Sequence, residues 1–238
     1  MRMVLLHGSW HTGEHLKPVA ERLRSFGHEV YTPTILGHGF DVDKSVNLAG
    51  QVDELISYIT SNDLEDIVLV GHSYGGVLIS KIAEEVPERI RRLVFWSAFV
   101  LQPGNCLMDE VPPYLRPQYE ALVAEDNTVM LPYVVFRERF INDADDTLAK
   151  RVYDSLSPEP WQPNLDKVDL KRFYECTIPR SFLNCLEDQA MPQGEWGWHP
   201  RMSGRLGLCR LVQMHGSHEV LFTNPDGVAE KLIEAGRD

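Results

Sequence analysis

The chain has no apolar run long enough to cross a membrane as a helix, which needs about 20 such residues. It is short of positive charge. Its 23 Lys and Arg stand against 35 Asp and Glu, a formal net charge of -12 at pH 7, which would repel nucleic acid and anionic membrane alike. Cysteine is sparse. The four present, Cys106, Cys176, Cys185 and Cys209, form no C-x-x-C pair, so neither a zinc knuckle nor a redox motif is indicated. Met1-Arg2-Met3-Val4-Leu5-Leu6 resembles the start of a secretory leader, but the apolar part stops at His7 and no cleavage site follows. The domain is therefore expected to begin with its first strand, with reduced thiols in a cytoplasmic protein. Internal repeats and low-complexity segments are also missing. His7, His11 and His15 are four apart, a metal-binding spacing on a helix, but Gly8 and Gly13 interrupt them. No metal and no other cofactor is expected. A small-molecule substrate remains as the expected partner; nothing fixes an oligomeric state.

What is present is organised around residues 66–80. Ile67-Val68-Leu69-Val70 reads as a strand buried on both faces, as in a parallel sheet. Gly71-His72-Ser73-Tyr74-Gly75 breaks it, and a stretch with Val77, Leu78, Ile82 and Ala83 at helical spacing follows. This is the G-x-S-x-G pattern of a nucleophile elbow, a strand–turn–helix with serine at the tip of a strained turn. The glycines let backbone pass where a Cβ would clash. The helix behind the serine aims its positive end at any oxyanion formed there, and the Tyr74 amide can point at the same spot.

Around this element strand and helix alternate. Strands are expected at Met3–His7, His28–Pro33, Ile90–Trp96, Ile178–Cys185 and Leu208–Met214. Helices are expected from Leu16 to about Gly27, through Val52–Ile59 to near Asn62, and from Asn224 through Ile233. The rhythm implies a parallel sheet wrapped by helices, an α/β fold. From Leu101 to Thr177 it stops. Proline and aromatic residues dominate there, with short helices plausible at Gln118–Ala124 and Asp146–Ser155. That block is expected to be a cap, over a core made of residues 1–100 and 178–238. Tyr133, Phe136, Phe140, Tyr153, Trp161 and Phe173 argue that it packs rather than hangs free.

A serine nucleophile needs a base within hydrogen-bond reach and a third group to orient that base. In this architecture the chain order is Ser, acid, His, on loops at the carboxyl ends of strands. Leu186-Glu187-Asp188 follows the penultimate strand and His215-Gly216-Ser217-His218-Glu219 the last. Asp188 is the expected acid, with Glu187 its competitor, whose side chain should point away from the pocket. His218 is the expected base rather than His215 at the strand's edge, because Gly216 and Ser217 carry the chain outward. The second oxyanion donor is expected to be the Ser9 amide in the first strand-to-helix loop. Trp10 and His72 are candidates for the pocket wall, although His72 also reads as a structural hydrogen-bonder. Trp196, Trp198 and His199 read equally as pocket wall or plain packing.

With Leu6-His7-Gly8, Gly71-His72-Ser73-Tyr74-Gly75-Gly76, Cys185-Leu186-Glu187-Asp188 followed by Pro192, and Gly216-Ser217-His218 in place, the chain resembles an α/β-hydrolase. It is most similar to the small branch of plant methylesterases, hydroxynitrile lyases and their bacterial relatives. The resemblance implies an α/β-hydrolase fold with an inserted cap. It gives Ser73 as nucleophile, Asp188 as acid, His218 as base, and the Ser9 and Tyr74 amides as oxyanion donors. Lyases of the branch carry threonine after the first-strand histidine and lysine after the catalytic one. Here those positions are Gly8 and Glu219, and a carboxylate there disfavours a cyanide leaving group. The expected activity is cofactor-free hydrolysis of a carboxylic ester through an acyl-enzyme. A lactone, thioester or C–C bond as substrate, a cofactor-free dioxygenase and a ligand-binding receptor stand as alternatives.

Overall fold

A computed structural model describes residues 1–238. Its first half alternates as the sequence reading expects: β1 (Arg2–Leu6), α1 (Lys17–Ser25), β2 (Glu29–Tyr31), α2 (Leu48–Ser61), β3 (Ile67–His72), α3 (Gly75–Glu85) and β4 (Ile90–Trp96). Next comes an excursion of short pieces. These are α4 (Arg116–Glu120), β5 (Thr128–Val129), α5 (Tyr133–Arg139), α6 (Asp146–Ser155), β6 (Glu159–Pro160), α7 (Gln162–Leu165) and α8 (Lys171–Glu175). The regular pattern resumes with β7 (Arg180–Cys185), β8 (Arg210–Met214), α9 (Val220–Thr223) and α10 (Pro225–Gly236). Several boundaries differ from expectation: α2 starts at Leu48, β7 at Arg180 and β8 at Arg210. The first helix opens as a 3-10 turn, Gly13–Leu16, before α1. The second strand is cut to three residues, because Pro33 brings no N–H to continue the ladder.

Six strands form one sheet in the order β2-β1-β3-β4-β7-β8, and every neighbouring pair is parallel. Period-two alternation sorts their side chains onto two faces. Val4 and Leu6 of β1, Ile67 and Leu69 of β3, and Leu93 and Phe95 of β4 enter one apolar cluster with α2 and α3. Met3, Leu5, Val68, Val70, Val94 and Trp96 enter the other, which α1 and α10 cover with Val19, Leu23, Val228 and Leu232. The strands read as continuous apolar runs because both faces are dry. Removing Leu69, which is fully buried, to alanine would cost about 2–5 kcal/mol.

The 101–177 excursion leaves from β4 and returns to its sheet neighbour β7. Its aromatic residues are not free. Phe136, Phe140, Trp161 and Phe173 belong to the first cluster, so the excursion lies on the α2/α3 face, over the carboxyl end of β3.

Candidate active site

The elbow places Ser73 at φ 53°, in the left-handed region that costs a non-glycine residue about 1–3 kcal/mol. The turn is held from both sides. The Ser73 amide donates to the Trp96 carbonyl at 3.1 Å, and its carbonyl accepts from Gly76 and Phe99, each at 3.1 Å. A Cβ on Gly71 would sit 2.5 Å from the Gly75 backbone, and one on Gly8 would sit 2.9 Å from Ser73 Cβ. These two glycines are therefore steric requirements of the close approach. The α3 N-terminus follows at Gly75.

Two loops from the far end of the sheet bring an imidazole and a carboxylate together. His218 Nδ1–H donates to Asp188 Oδ2 at 2.6 Å. Both groups are buried, Asp188 completely. Asp188 Oδ1 accepts from the Ala190 amide at 2.9 Å, so neither carboxylate oxygen lacks a donor. Burial pushes the His218 pKa down, but the Asp188 charge and hydrogen bond outweigh it and leave it raised. With its Nδ1 proton on Asp188, the neutral ring has its lone pair on Nε2. The ring is stacked on Trp198 at 5.5 Å and meets the edge of Phe140 at 5.4 Å. No hydrogen bond joins Ser73 Oγ to His218 Nε2 in this structure, a contact that hydrolytic sites often complete only with substrate bound.

Glu187 takes another direction. The β7/β8 ladder runs on past the strands, with the Leu186 amide on the Met214 carbonyl at 2.9 Å and the Glu187 amide on Gly216 at 3.1 Å. Glu187 therefore lies on the outer edge. Its carboxylate bonds His215 Nδ1 at 2.5 Å and the Gly216 amide, with the His215 side chain 87% exposed. Asp188 turns inward at the tight turn, its amide on the Cys185 carbonyl.

Ser9 and Tyr74 are the other positions expected at the site. Both amides follow strand ends, and neither donates within the loops and turns of the protein. Ser9, Trp10 and Ser73 line one cavity, of about 50 Å³. Twelve of its 16 lining residues are hydrophobic; with Trp10, the rings of Phe99, Tyr119, Phe140, Trp161 and Trp198 make up half of these. Trp196 stacks instead under Arg201, and His199 donates to Ser203.

His72 is a correction to the pocket assignment. Strand parity turns it to the α1/α10 face, beside Trp96 at 4.5 Å, and its Nε2–H donates to the His218 carbonyl at 3.1 Å. It holds the His218 backbone from behind. Burial holds its pKa, and that of His7, well below the ordinary value. His7 Nδ1–H donates to the Gly8 carbonyl at 2.8 Å and Nε2 accepts the Ile35 amide at 3.0 Å. Glu219, the carboxylate that follows His218, is paired. Its Oε2 lies 3.0 Å from His11 Nε2, both side chains almost wholly buried. Burial opposes ionisation of each group, yet their mutual attraction raises the His11 pKa and lowers that of Glu219.

Sequence reasoning missed Glu159 and Asn164, both buried and both lining the cavity from the excursion. Ser157-Pro158-Glu159-Pro160 carries no pattern that marks them.

An alpha/beta hydrolase family model matches residues 3–231. The chain is 40% identical to a carbendazim hydrolyzing esterase of Nocardioides sp. (strain SG-4G) over 121 residues, a match spanning half of each chain. It is 24% identical to salicylic acid-binding protein 2 of Nicotiana tabacum over 97% of this chain and 95% of that one. Among solved structures, an extracellular alpha/beta-hydrolase from a Paenibacillus species superposes with TM-score 0.98 at 39% identity, covering 100% of both chains. That protein is described as sharing structural and functional homology with tobacco salicylic acid-binding protein 2.

Proposed function

The chain belongs to the alpha/beta hydrolase family, and on that premise we propose that it is a serine esterase working through Ser73, His218 and Asp188. The observation that carries this is the buried His218–Asp188 bond, at 2.6 Å, beside a cavity that exposes the strained elbow serine. Relatives of the chain include an esterase and a methylesterase.

Ser73 Oγ attacks the acyl carbon as His218 Nε2 takes its proton. Asp188 stays ionised and stabilises the imidazolium. The carbonyl oxygen becomes an oxyanion that the Ser9 and Tyr74 amides receive, with the α3 N-terminus behind them. Collapse expels the alcohol, which takes the proton from His218 and leaves the acyl group on Ser73. Water then attacks with the same base, and the free acid departs. Every group in this cycle comes from the chain.

The wall of the cavity suits an ester with a compact, flat, apolar body. Ser73→Ala should lower turnover of 4-nitrophenyl acetate by about 10⁴–10⁶-fold with folding intact, and a fluorophosphonate probe should label Ser73 alone. Labelling of a different serine, or turnover that survives Ser73→Ala, overturns the reading.

A further inference from the structure

Trp10 is the second strained residue at the site. Its φ is 65°, where a bulky non-glycine side chain is a genuine outlier, so the surrounding structure must over-determine it. It does so polar group by polar group. The Ser9 carbonyl accepts from His11 Nδ1–H at 2.6 Å. The Trp10 amide donates to Glu159 Oε2 at 3.3 Å. The Trp10 carbonyl accepts from the Ser157 amide at 3.1 Å, and its indole N–H donates to the Val129 carbonyl at 3.1 Å. The Ser9 amide, by contrast, makes no hydrogen bond within the protein.

We propose that the His11–Glu219 ion pair and the Glu159 carboxylate are positioning residues of the oxyanion hole. They grip the Ser9–Trp10 peptide from its carbonyl and amide sides, which leaves the Ser9 amide facing the point where negative charge develops. The inference rests on the serine-esterase reading and adds to it residues that act through the Ser9–Trp10 peptide: His11 and Glu219 from outside the cavity, Glu159 from its wall.

Charge is what makes the carbonyl side of the grip firm. The Ser9 carbonyl can only accept, so His11 Nδ1 must present its proton there, and the Glu219 carboxylate 3.0 Å from Nε2 favours a second proton on that nitrogen. A charge-assisted bond is roughly twice as strong as a neutral one, and burial of the pair keeps water from replacing either partner. Glu219 also follows His218 directly, and its amide donates to the Phe140 carbonyl at 3.0 Å. One pair thus ties the base loop to the oxyanion loop. On the amide side, Glu159 has only long contacts: 3.3 Å to Trp10, 3.5 Å to Asn164 Nδ2 and 3.4 Å to His38 Nε2. Its hold is the looser of the two.

The test separates oxyanion stabilisation from folding and from binding. In Glu219→Gln, kcat on 4-nitrophenyl acetate should fall about 10–100-fold, less than the loss from deleting a donor outright, with KM within about threefold. Affinity for trifluoroacetophenone, which adds Ser73 to form a tetrahedral oxyanion, should fall in parallel, while affinity for planar acetophenone stays. Glu159→Gln should show the same split at smaller amplitude. If Glu219→Gln does not fold, the double variant His11→Gln/Glu219→Gln removes both buried charges and is measured in its place. Trifluoroacetophenone affinity within twofold of wild type in a folded variant overturns the positioning role, and so does an equal loss for both ketones. Neither result touches the serine-esterase reading, which falls only if Ser73→Ala keeps its turnover.

Discussion

Two histidine–carboxylate pairs hang from the same two loops, three residues apart on one and one residue apart on the other. His215–Glu187 and His218–Asp188 have nearly equal contact distances, 2.5 and 2.6 Å. Distance therefore does not tell them apart; solvent does. The His215 and Glu187 side chains are 87% and 44% exposed, the His218 and Asp188 side chains 2% and 0%. In water an ion pair is worth about 0–1 kcal/mol and is screened by salt. In the interior the same charge holds one tautomer, raises the base's pKa and stabilises an imidazolium as it forms. The outer pair is a surface contact, whereas the inner one has the surroundings of catalytic machinery.

The largest expected contrast comes from the imidazoles. His218→Ala should cost about as much as loss of the serine, some 10⁵-fold in kcat, while His215→Ala should stay within about threefold. Single-turnover acylation measures both. The carboxylates come next. Asp188→Asn should cost about 10⁴-fold, because an amide favours the wrong tautomer and carries no charge; Glu187→Gln should remain within about tenfold. A live Asp188→Asn beside a dead Glu187→Gln would invert the comparison.

Smaller, but diagnostic, is the pH profile. The base acts unprotonated, so kcat/KM should rise with pH through the His218 titration and lose about tenfold per unit below it. Burial lowers that pKa and Asp188 more than restores it, so the midpoint should lie above the ordinary histidine value of about 6.5. Linkage gives stability the opposite slope: a raised folded pKa contributes fully below the unfolded value, and that contribution fades as pH rises through the folded one. Glu187→Gln should leave the kinetic midpoint in place. The smallest effect is ionic. Added salt should change the stability contributed by Glu187 by less than about 1 kcal/mol and leave the His218 midpoint nearly unmoved. A salt-sensitive midpoint would mean that the inner pair is wetter than its burial implies.

Much of this was legible in the chain. Apolar runs alternating with 3.6-period stretches are local signals, and all six sheet strands leave them. The elbow is a local signal too. Parity along β7 and its turn separates Asp188 from Glu187. His72 was misleading because adjacency to Ser73 in sequence means the opposite face of the strand in space. The His11–Glu219 and Trp10–Glu159 contacts left no trace, since each joins segments more than a hundred residues apart and neither partner sits in a patterned element. Glu159 was the least visible of all, in a stretch whose packing obeys neither period.

The excursion between β4 and β7 begins and ends on neighbouring strands, so the sheet's ladder does not depend on what lies between them. Topologically it looks like an exchangeable module, a piece that descent could replace to change substrate taste while leaving the reaction alone. The bonds from Val129, Ser157 and Glu159 to Trp10, and from the Phe140 carbonyl to Glu219, say otherwise. On the proposed mechanism, transplanting a foreign segment here would replace not only cavity walls but also the struts under the Ser9–Trp10 turn. The same mechanism couples taste to chemistry in this molecule, and on it a graft that preserves activity must carry those contacts with it.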